Sequence, residues 1–583
     1  MTNNEVAAAL EEIGTLLELK GESAFRARAY HIGARAVSQI AGDLRQLIAE
    51  GTLGDVPGIG EALREKITTL VTTGRLKYLD DLRASLPAGL ILLLRVPGLG
   101  PKKAKALYDA LHIDSLDQLR EACAAGEVAK LKGFGEKTQQ RILEGVRFLG
   151  TVGDRLLFSR AHPLGLALVE LVRAIPGVTR AELVGGLRRR RETAGNVNLL
   201  AAAADPQAVL DAFSGLSLVT QVVSRDAARA SVVASTWVGT KRVSAAAELR
   251  VVPDDRFPVA LVHATGSVGH AARLRERAAD RRLELTEDTL TGKTGSVICR
   301  DEAAVYAVLG LAWVPPEMRE DTGEVELAAT GAVPTLIEPA DVRGVFHNHT
   351  TASDGTATLE DMARAAKALG YEYFGVGDHS QSLTVANGLS PARVRQQWAE
   401  VDALNKKLAG IRVLKGTECD ILPDGSLDFP DDLLAGFDYV VASVHSHFGL
   451  DEAEQTARVC KALAHPAVTW LGHPTGRLLL RREGYKLDME KVLQTAAQHG
   501  KMIEINAQPD RLDLDWSHVK RAKELGIPLV INPDAHSPGE LEYVPYGVNV
   551  ARRGWLTAAD VFNTRPLAEV RNELERRRKA WVK

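Results

Sequence analysis

The chain runs to 583 residues, 45% hydrophobic and 25% charged, with a formal net charge of −3. That length is too great for one hydrophobic core, and the composition excludes a disordered chain. Near-neutrality does not exclude a nucleic-acid partner, because basic residues can gather on one face.

The start, MTNNEVAAALEEIG, lacks a basic stretch followed by an apolar core, and the longest apolar run, AGLILLL, is far short of a membrane span. A soluble, cytoplasmic protein is expected. Cys123, Cys299, Cys419 and Cys460 form no C-x-x-C pair, which excludes a zinc ribbon or disulfide framework. Residues 1 to 150 show apolar residues at spacings of three and four, the pattern of helices. Three glycine turns punctuate them: VPGIG at 56–60, VPGLGPKKA at 96–104 and LKGFGEKT at 131–138. Each precedes a helix, so Gly58, Gly60, Gly98, Gly100, Gly133 and Gly135 let backbone N–H groups approach a phosphate, while Lys102 and Lys103 add attraction. The basic stretch FRARAYHIGARAV at 25–37 extends the patch. Contacts of this kind address the DNA backbone, carry no base sequence and weaken with salt.

From about 163, a helical stretch, LGLALVELVRAI, is followed by short strands (AELVGG, VNLLAAA, LVTQVV, ASVVAS, AELRVV), an α+β pattern. Within it, RRETAGNVNLLAAA puts Asn196 and Asn198 on one strand face. Two carboxylates there would cradle a metal ion; two amides carry no charge. Residues 316–343, with prolines, acidic residues and little periodicity, read as a linker.

Five histidines precede residue 344 and ten follow it. Beyond that point strand and helix alternate through GVFHNH, YFGVGDH, IRVLKGTE, FDYVVASVH, VTWLGH, KMIEIN and PLVINPDAH, seven units of a β/α barrel. Chemistry in such barrels sits at the C-terminal strand ends. Those ends carry His347, His349, Asp354, His379, Glu418, His445, His473, Asp534 and His536, a donor set suited to Zn, Mn or Fe. The H-x-H and D-x-H pairs are expected to share a face by strand alternation. His447, His465, His499 and His518 do not fit the pattern.

The motifs HNHTTASDG, GDHS, GTECDI, SVHS, GHPTGR and PDAH resemble the polymerase and histidinol phosphatase (PHP) family of metal-dependent phosphoesterases. That resemblance implies up to three Mn or Zn ions on these nine residues in a distorted seven-stranded barrel. It also implies phosphoester hydrolysis, in which His347, His349, Glu418, His445, Asp534 and His536 are catalytic. Arg477 and Arg511 are candidates to hold phosphate oxygens.

The N-terminal turns resemble helix-hairpin-helix DNA-binding elements, and the whole chain resembles a bacterial family X DNA polymerase fused to a PHP domain. The resemblance implies multidomain α and α/β architecture. Helical DNA-binding modules would occupy 1–80 and 81–150, a nucleotidyltransferase-type α+β palm 151–256, a thumb 257–315 and the barrel 344–583. The family's palm holds two Mg ions on three aspartates after a Gly-Ser and two arginines. This chain has Gly186 for the serine, Asn196 and Asn198 for two aspartates and Glu248 for the third. His263 and Ala264 replace an aromatic pair before Thr265, Gly266 and Ser267. Losing one unit charge about 4 Å from a cation at an effective dielectric near 20 forfeits about 4 kcal/mol of gross Coulomb attraction per ion charge, so Mg or Mn retention at the palm is expected to be weak. Lys66 matches the lysine that vertebrate members use as a Schiff-base nucleophile on abasic sugars. The expected protein is a monomeric repair enzyme for gapped, nicked or abasic DNA, with nuclease activity and weak or lost polymerase activity. The alternatives are a Mn-dependent gap-filling polymerase that binds dNTP, and a DNA-binding scaffold.

Overall fold

A computed structural model describes every residue except 2, 39, 41, 42, 95, 97, 98, 240, 582 and 583. The described residues between 3 and 152 form helices and short 3-10 turns joined by loops, with a shared core of Leu10, Ile13, Leu17, Ile67, Leu70 and Leu107. Helices Asn3–Lys20 and Ala24–Ser38 approach so closely that a Cβ on Gly14 would stand 2.6 Å from the His31 ring. No helix among the described residues is long and apolar enough to cross a membrane.

The middle contains a five-stranded sheet of β1 (Val178–Val184), β2 (Val197–Ala203), β3 (Val219–Arg225), β4 (Arg229–Val238) and β5 (Lys241–Val252). Its spatial order is β1-β2-β5-β4-β3, and only β2 and β5 run parallel. One face packs on the helix Phe158–Arg173, as the apolar Leu164, Leu168 and Val172 require. The other, at its N-terminal end of β2, carries Asn196 and Asn198.

The stretch 316–343 is not a linker. Met318, Val325, Ala328 and Leu336 enter the core built by Val305, Tyr306 and Leu309. Two of the acidic residues that gave it a linker's composition are taken up by arginines of two other regions. Glu317 meets Arg190 and Arg552, each at 2.9 Å. Glu320 meets Arg189 at 3.0 Å and Arg553 at 3.2 Å. These buried charges tie the palm to the barrel helix Val544–Arg553, because leaving any one unpaired in the interior would be costly.

The barrel strands are β6 (Gly344–Asn348), β7 (Tyr373–Val376), β8 (Arg412–Leu414), β9 (Gly416–Asp420), β10 (Tyr439–Ser443), β11 (Trp470–Leu471), β12 (Met502–Asn506) and β13 (Leu529–Asn532). They pair in parallel as β6-β7-β8 and β9-β10-β11-β12-β13, and bridges His379↔Glu418 and Asn348↔Ala535 join the two arcs. The unit IRVLKGTE therefore supplies two strands, and β8 stands outside a ring of seven. Helices cover the outside, so the strands are buried on both faces, as parallel strands require. Phe346, Tyr439, Trp470 and Met502 fill one continuous core.

Candidate metal centre

All nine sequence-predicted donors converge at one barrel mouth. They fall into four groups whose ligand atoms lie within 4.8 Å of one another: His349, Asp354, His379 and His536; His347, His349 and Asp534; His347, Glu418 and His473; and His379, Glu418 and His445. Glu418 is the hub. His347, His445 and His473 approach its Oε1 at 3.1, 3.2 and 2.8 Å, and His379 its Oε2 at 2.9 Å. Asp534 Oδ1 lies 3.2 Å from His349 Nε2. Asp354 and His536 are about one-third exposed, whereas His347, His349 and Glu418 are essentially sealed. The mouth therefore opens on the Asp354 side.

Strand alternation does not aim these pairs. His347, His473 and Asp534 have φ of 56°, 23° and 51°, in the left-handed region that non-glycine residues rarely enter. The β6–β7 register shifts between Val345 and Asn348, so a bulge and a turned backbone swing His347 into the mouth. Such backbone strain persists where surrounding contacts over-determine it, typically at functional sites.

Three carboxylates that sequence reasoning passed over hold the ligands in place. Glu504, buried between Ile503 and Ile505, accepts from His347 Nδ1 at 2.7 Å, from the His473 N–H at 2.8 Å and from Asn532 at 3.0 Å. Asp420 accepts from His445 Nδ1. Asp378 gathers Thr350, Ser353 and Gln397 beneath the HNHTTASDG loop. The signal for Glu504 was present: a charge inside a strand with no exposed face needs a partner. Such backing fixes each ring's tautomer and frees Nε2 as the ligand atom.

The residues fit a metal cluster. His347 Nε2, both His349 nitrogens, His379 Nδ1 and His473 Nδ1 are buried and make no aligned hydrogen bond, although carboxylate oxygens stand 3.1, 3.2 and 2.9 Å from His347 Nε2, His349 Nε2 and His379 Nδ1, an arrangement that suits a shared cation. Protons compete for the same atoms. Burial lowers His379 and His536, but Glu418, Asp354 and Asp534 lift them to about 10 and about 9. Burial and the neighbouring His536 and His379 push His349 down to about 3. Burial opposes the Glu418 anion, yet His445, His347 and His379 hold its carboxyl well below the usual range.

Arg477 is engaged within the protein. Its guanidinium donates to the carbonyls of Arg511 and Leu512 and pairs with Asp515, bracing that loop. Arg511 stands at the rim, 3.7 Å from Asp534. His447 and His499 are exposed, His518 is half-buried, and His465 pairs with Asp431; among the described residues none of the four joins a donor group.

In the palm, Asn198 and Glu248 are register partners, with Ser231 next across the sheet. Asn196 Nδ2 donates to Asn198 Oδ1 at 2.9 Å. Glu248 accepts from Ser231 at 3.3 Å and stands 3.7 Å from Arg229. Among the described residues, no group of three metal donors gathers here. The Arg191 side chain lies over Gly186, its Cδ 3.3 Å from where a Cβ would stand, filling the space of the family's serine. Burial and Arg275 hold the His263 imidazole below its ordinary pKa.

In the helical region, Gly60 and Gly100 share one conformation (φ −78° and −80°, ψ 171°) at the starts of helices Glu61–Thr73 and Pro101–Leu111. Gly58 and Gly133 share another, with φ of 93° and 89°, which accounts for the glycines. Gly135, at φ 62°, opens helix Gly135–Val152. Lys102 is exposed and Lys103 half-buried in the first turn of Pro101–Leu111. Gly98 lies outside the described residues. Lys66 donates to Ala62 O, and its amine sits 5.4 Å from the Tyr78 ring centroid.

Comparison with known proteins agrees with this geometry. Family models match a helix-hairpin-helix domain at 1–76, a SAM-like helix-hairpin-helix tandem at 90–147, a DNA polymerase beta thumb at 260–320 and a PHP domain at 346–508. The "DNA polymerase/3'-5' exonuclease PolX" of Bacillus subtilis strain 168 is 36% identical over 578 residues, 99% of this chain and 100% of that protein. The chain belongs to the PolX family. Its PHP part is also similar to a "Probable phosphatase" of Thermoanaerobacter sp. strain X514, 29% identical over 37% of this chain and 89% of that one. A "Probable phosphatase" of Acetivibrio thermocellus is 30% identical over 33% and 78%. The thumb match ends at 320, inside the stretch whose composition resembled a linker.

Proposed function

We propose that this PolX-family member hydrolyses DNA phosphodiesters in its barrel, from a 3′ end or at an abasic site, and that its palm supports little or no nucleotidyl transfer. The carrying observation is the contrast between nine converging donors around Glu418 and a palm whose two amides bond each other. His347, His349, Asp354, His379, Glu418, His445, His473, Asp534 and His536 would hold up to three divalent ions, Mn or Zn by the donor set. Such ions, when bound, supply Lewis-acid stabilisation of phosphate charge and activation of water.

The chain's own residues do the rest. Glu504 and Asp420 keep a proton on Nδ1 of His347 and His445, so their Nε2 lone pairs face the cluster. Arg511 at the rim is placed to take a phosphate oxygen. The glycine turns and the lysines at 102 and 103 would grip the backbone of gapped, nicked or abasic DNA, positioning a strand for cleavage.

The test is end-labelled gapped DNA incubated with Mn and all four nucleotides. Shortening that disappears in His347→Ala supports the proposal. Lengthening that survives His347→Ala would show a working polymerase palm, and neither product would leave a DNA-binding scaffold. Lys66 lyase activity would appear as a borohydride-trapped adduct on abasic DNA, absent from Lys66→Ala.

A further inference from the structure

The exposed palm face has amides at two of the family's three acid positions and keeps Glu248 at the third, with Arg229 and Arg250 beside it paired to Glu248, Glu287 and Asp288. Between residues 151 and 256 the chain has 14 Lys and Arg against 10 Asp and Glu, although its overall charge is −3. On the face that carries Asn196 and Asn198, register sets Glu248 opposite Ser231 and, one rank on, Arg250 opposite Arg229. Arg229 faces the Glu248 carboxylate. Arg155 bonds Thr193 through Nε and Nη2, leaving Nη1 3.7 Å from the Cβ position of Gly195, the residue before Asn196. Arg191 is exposed across Gly186.

We propose that this face is a metal-independent docking site for the phosphates of a DNA strand, with Asn196, Asn198, Arg155 and Arg191 as its donors. A carboxylate pair repels phosphate unless a cation sits between them, whereas an amide pair presents N–H donors directly and needs no ion. Replacing acid by amide thus changes the ligand logic of the cleft rather than merely disabling it. A DNA strand suits the face better than a free nucleotide triphosphate. Arg188 and Arg189, the two arginines of the family motif, are engaged by Glu302 and Glu320 and by Thr265. The available donors are spread along the strand ends rather than gathered in one pocket.

The experiment measures binding of fluorescein-labelled gapped DNA to the full chain in EDTA, by anisotropy at several salt concentrations. Asn196→Asp/Asn198→Asp should weaken binding about tenfold, the order expected for two charges some 4–6 Å from phosphate in a water-like dielectric. Magnesium at matched ionic strength should recover part of that loss, while leaving the unaltered protein unchanged. Arg191→Ala should weaken binding and lower the slope of log K against log salt by about one. Unaltered affinity in EDTA for either variant overturns the proposal, and so does binding of labelled dNTP in EDTA that gapped DNA fails to displace. Thermal melting of each variant guards against unfolding, and Arg191, being exposed, keeps the test open if the double variant misfolds.

Discussion

In the barrel mouth, Glu418 is approached by imidazoles of His347, His349, His379, His445 and His473 within 3.7 Å. In the palm, Glu248 is met by an arginine and a serine hydroxyl, and its register partner is an amide. Both sites sit at strand ends with polar residues facing a cleft, so backbone placement alone does not separate them. The difference is whether uncompensated lone pairs and negative charge remain after the neighbours have paired. The mouth keeps both behind walls of Glu504 and Asp420, whereas the palm keeps one carboxylate, Glu248, already met by Arg229 and Ser231, and otherwise presents amide and guanidinium donors. A cation is drawn to the first and has little to gain at the second.

The comparison breaks most visibly at its hub. Glu418→Gln leaves buried imidazoles without their carboxylate, and nuclease activity should fall more than about a hundredfold, with bound metal lost in elemental analysis. Retention of both would show that the ring does not depend on Glu418.

Next comes the joint that holds palm to thumb. Burial opposes the Glu302 anion, but Arg319 and Arg188 bring its carboxyl from 4.5 down to about 2. A depressed folded-state value stabilises above pH 4.5 and loses that contribution as pH falls toward 2, a difference of about 3 kcal/mol. Urea midpoints should therefore place Glu302→Gln well below the unaltered protein at pH 7, with the gap narrowing as pH falls through 4.5 and closing only toward pH 2. A gap as wide at pH 2 as at pH 7 would assign the effect to packing.

Glu504→Gln tests the support behind the ring rather than the ring itself. Metal affinity should drop about tenfold to a hundredfold by competition with a chelating dye, with the fold intact by circular dichroism. The smallest effect is a gain: Asn196→Asp/Asn198→Asp should raise Mn-dependent primer extension by about tenfold or more, since each 1.4 kcal/mol recovered is a factor of ten. No gain would place the palm's loss in its locked arginines instead.

The ring was legible because most of its ligands cluster at or just beyond the C-terminal ends of the strands, and because histidines stand out singly in apolar surroundings. Glu504 sits mid-strand and Asp420 two residues beyond the donor Glu418, and neither carries an imidazole that would draw notice. Arg477 looked available because an arginine's acceptors, here the carbonyls of Arg511 and Leu512, lie more than thirty residues away. Residues 316–343 misled for a related reason. Proline and acid mark a linker only when the acids face water, and Glu317, Glu320 and Glu324 face arginines and His270 instead. The positive φ at His347, His473 and Asp534 has no composition signal, since none is glycine. In the palm the substitutions themselves were legible, but the partners that absorb Glu248 and Arg189 needed the sheet register and the thumb.

Anomalous diffraction from crystals soaked in manganese tests the central contrast directly. The account predicts peaks among His347, His349, Asp354, Glu418 and Asp534 and none beside Asn196 and Asn198. A pair of ions against those amides above an empty ring would contradict it.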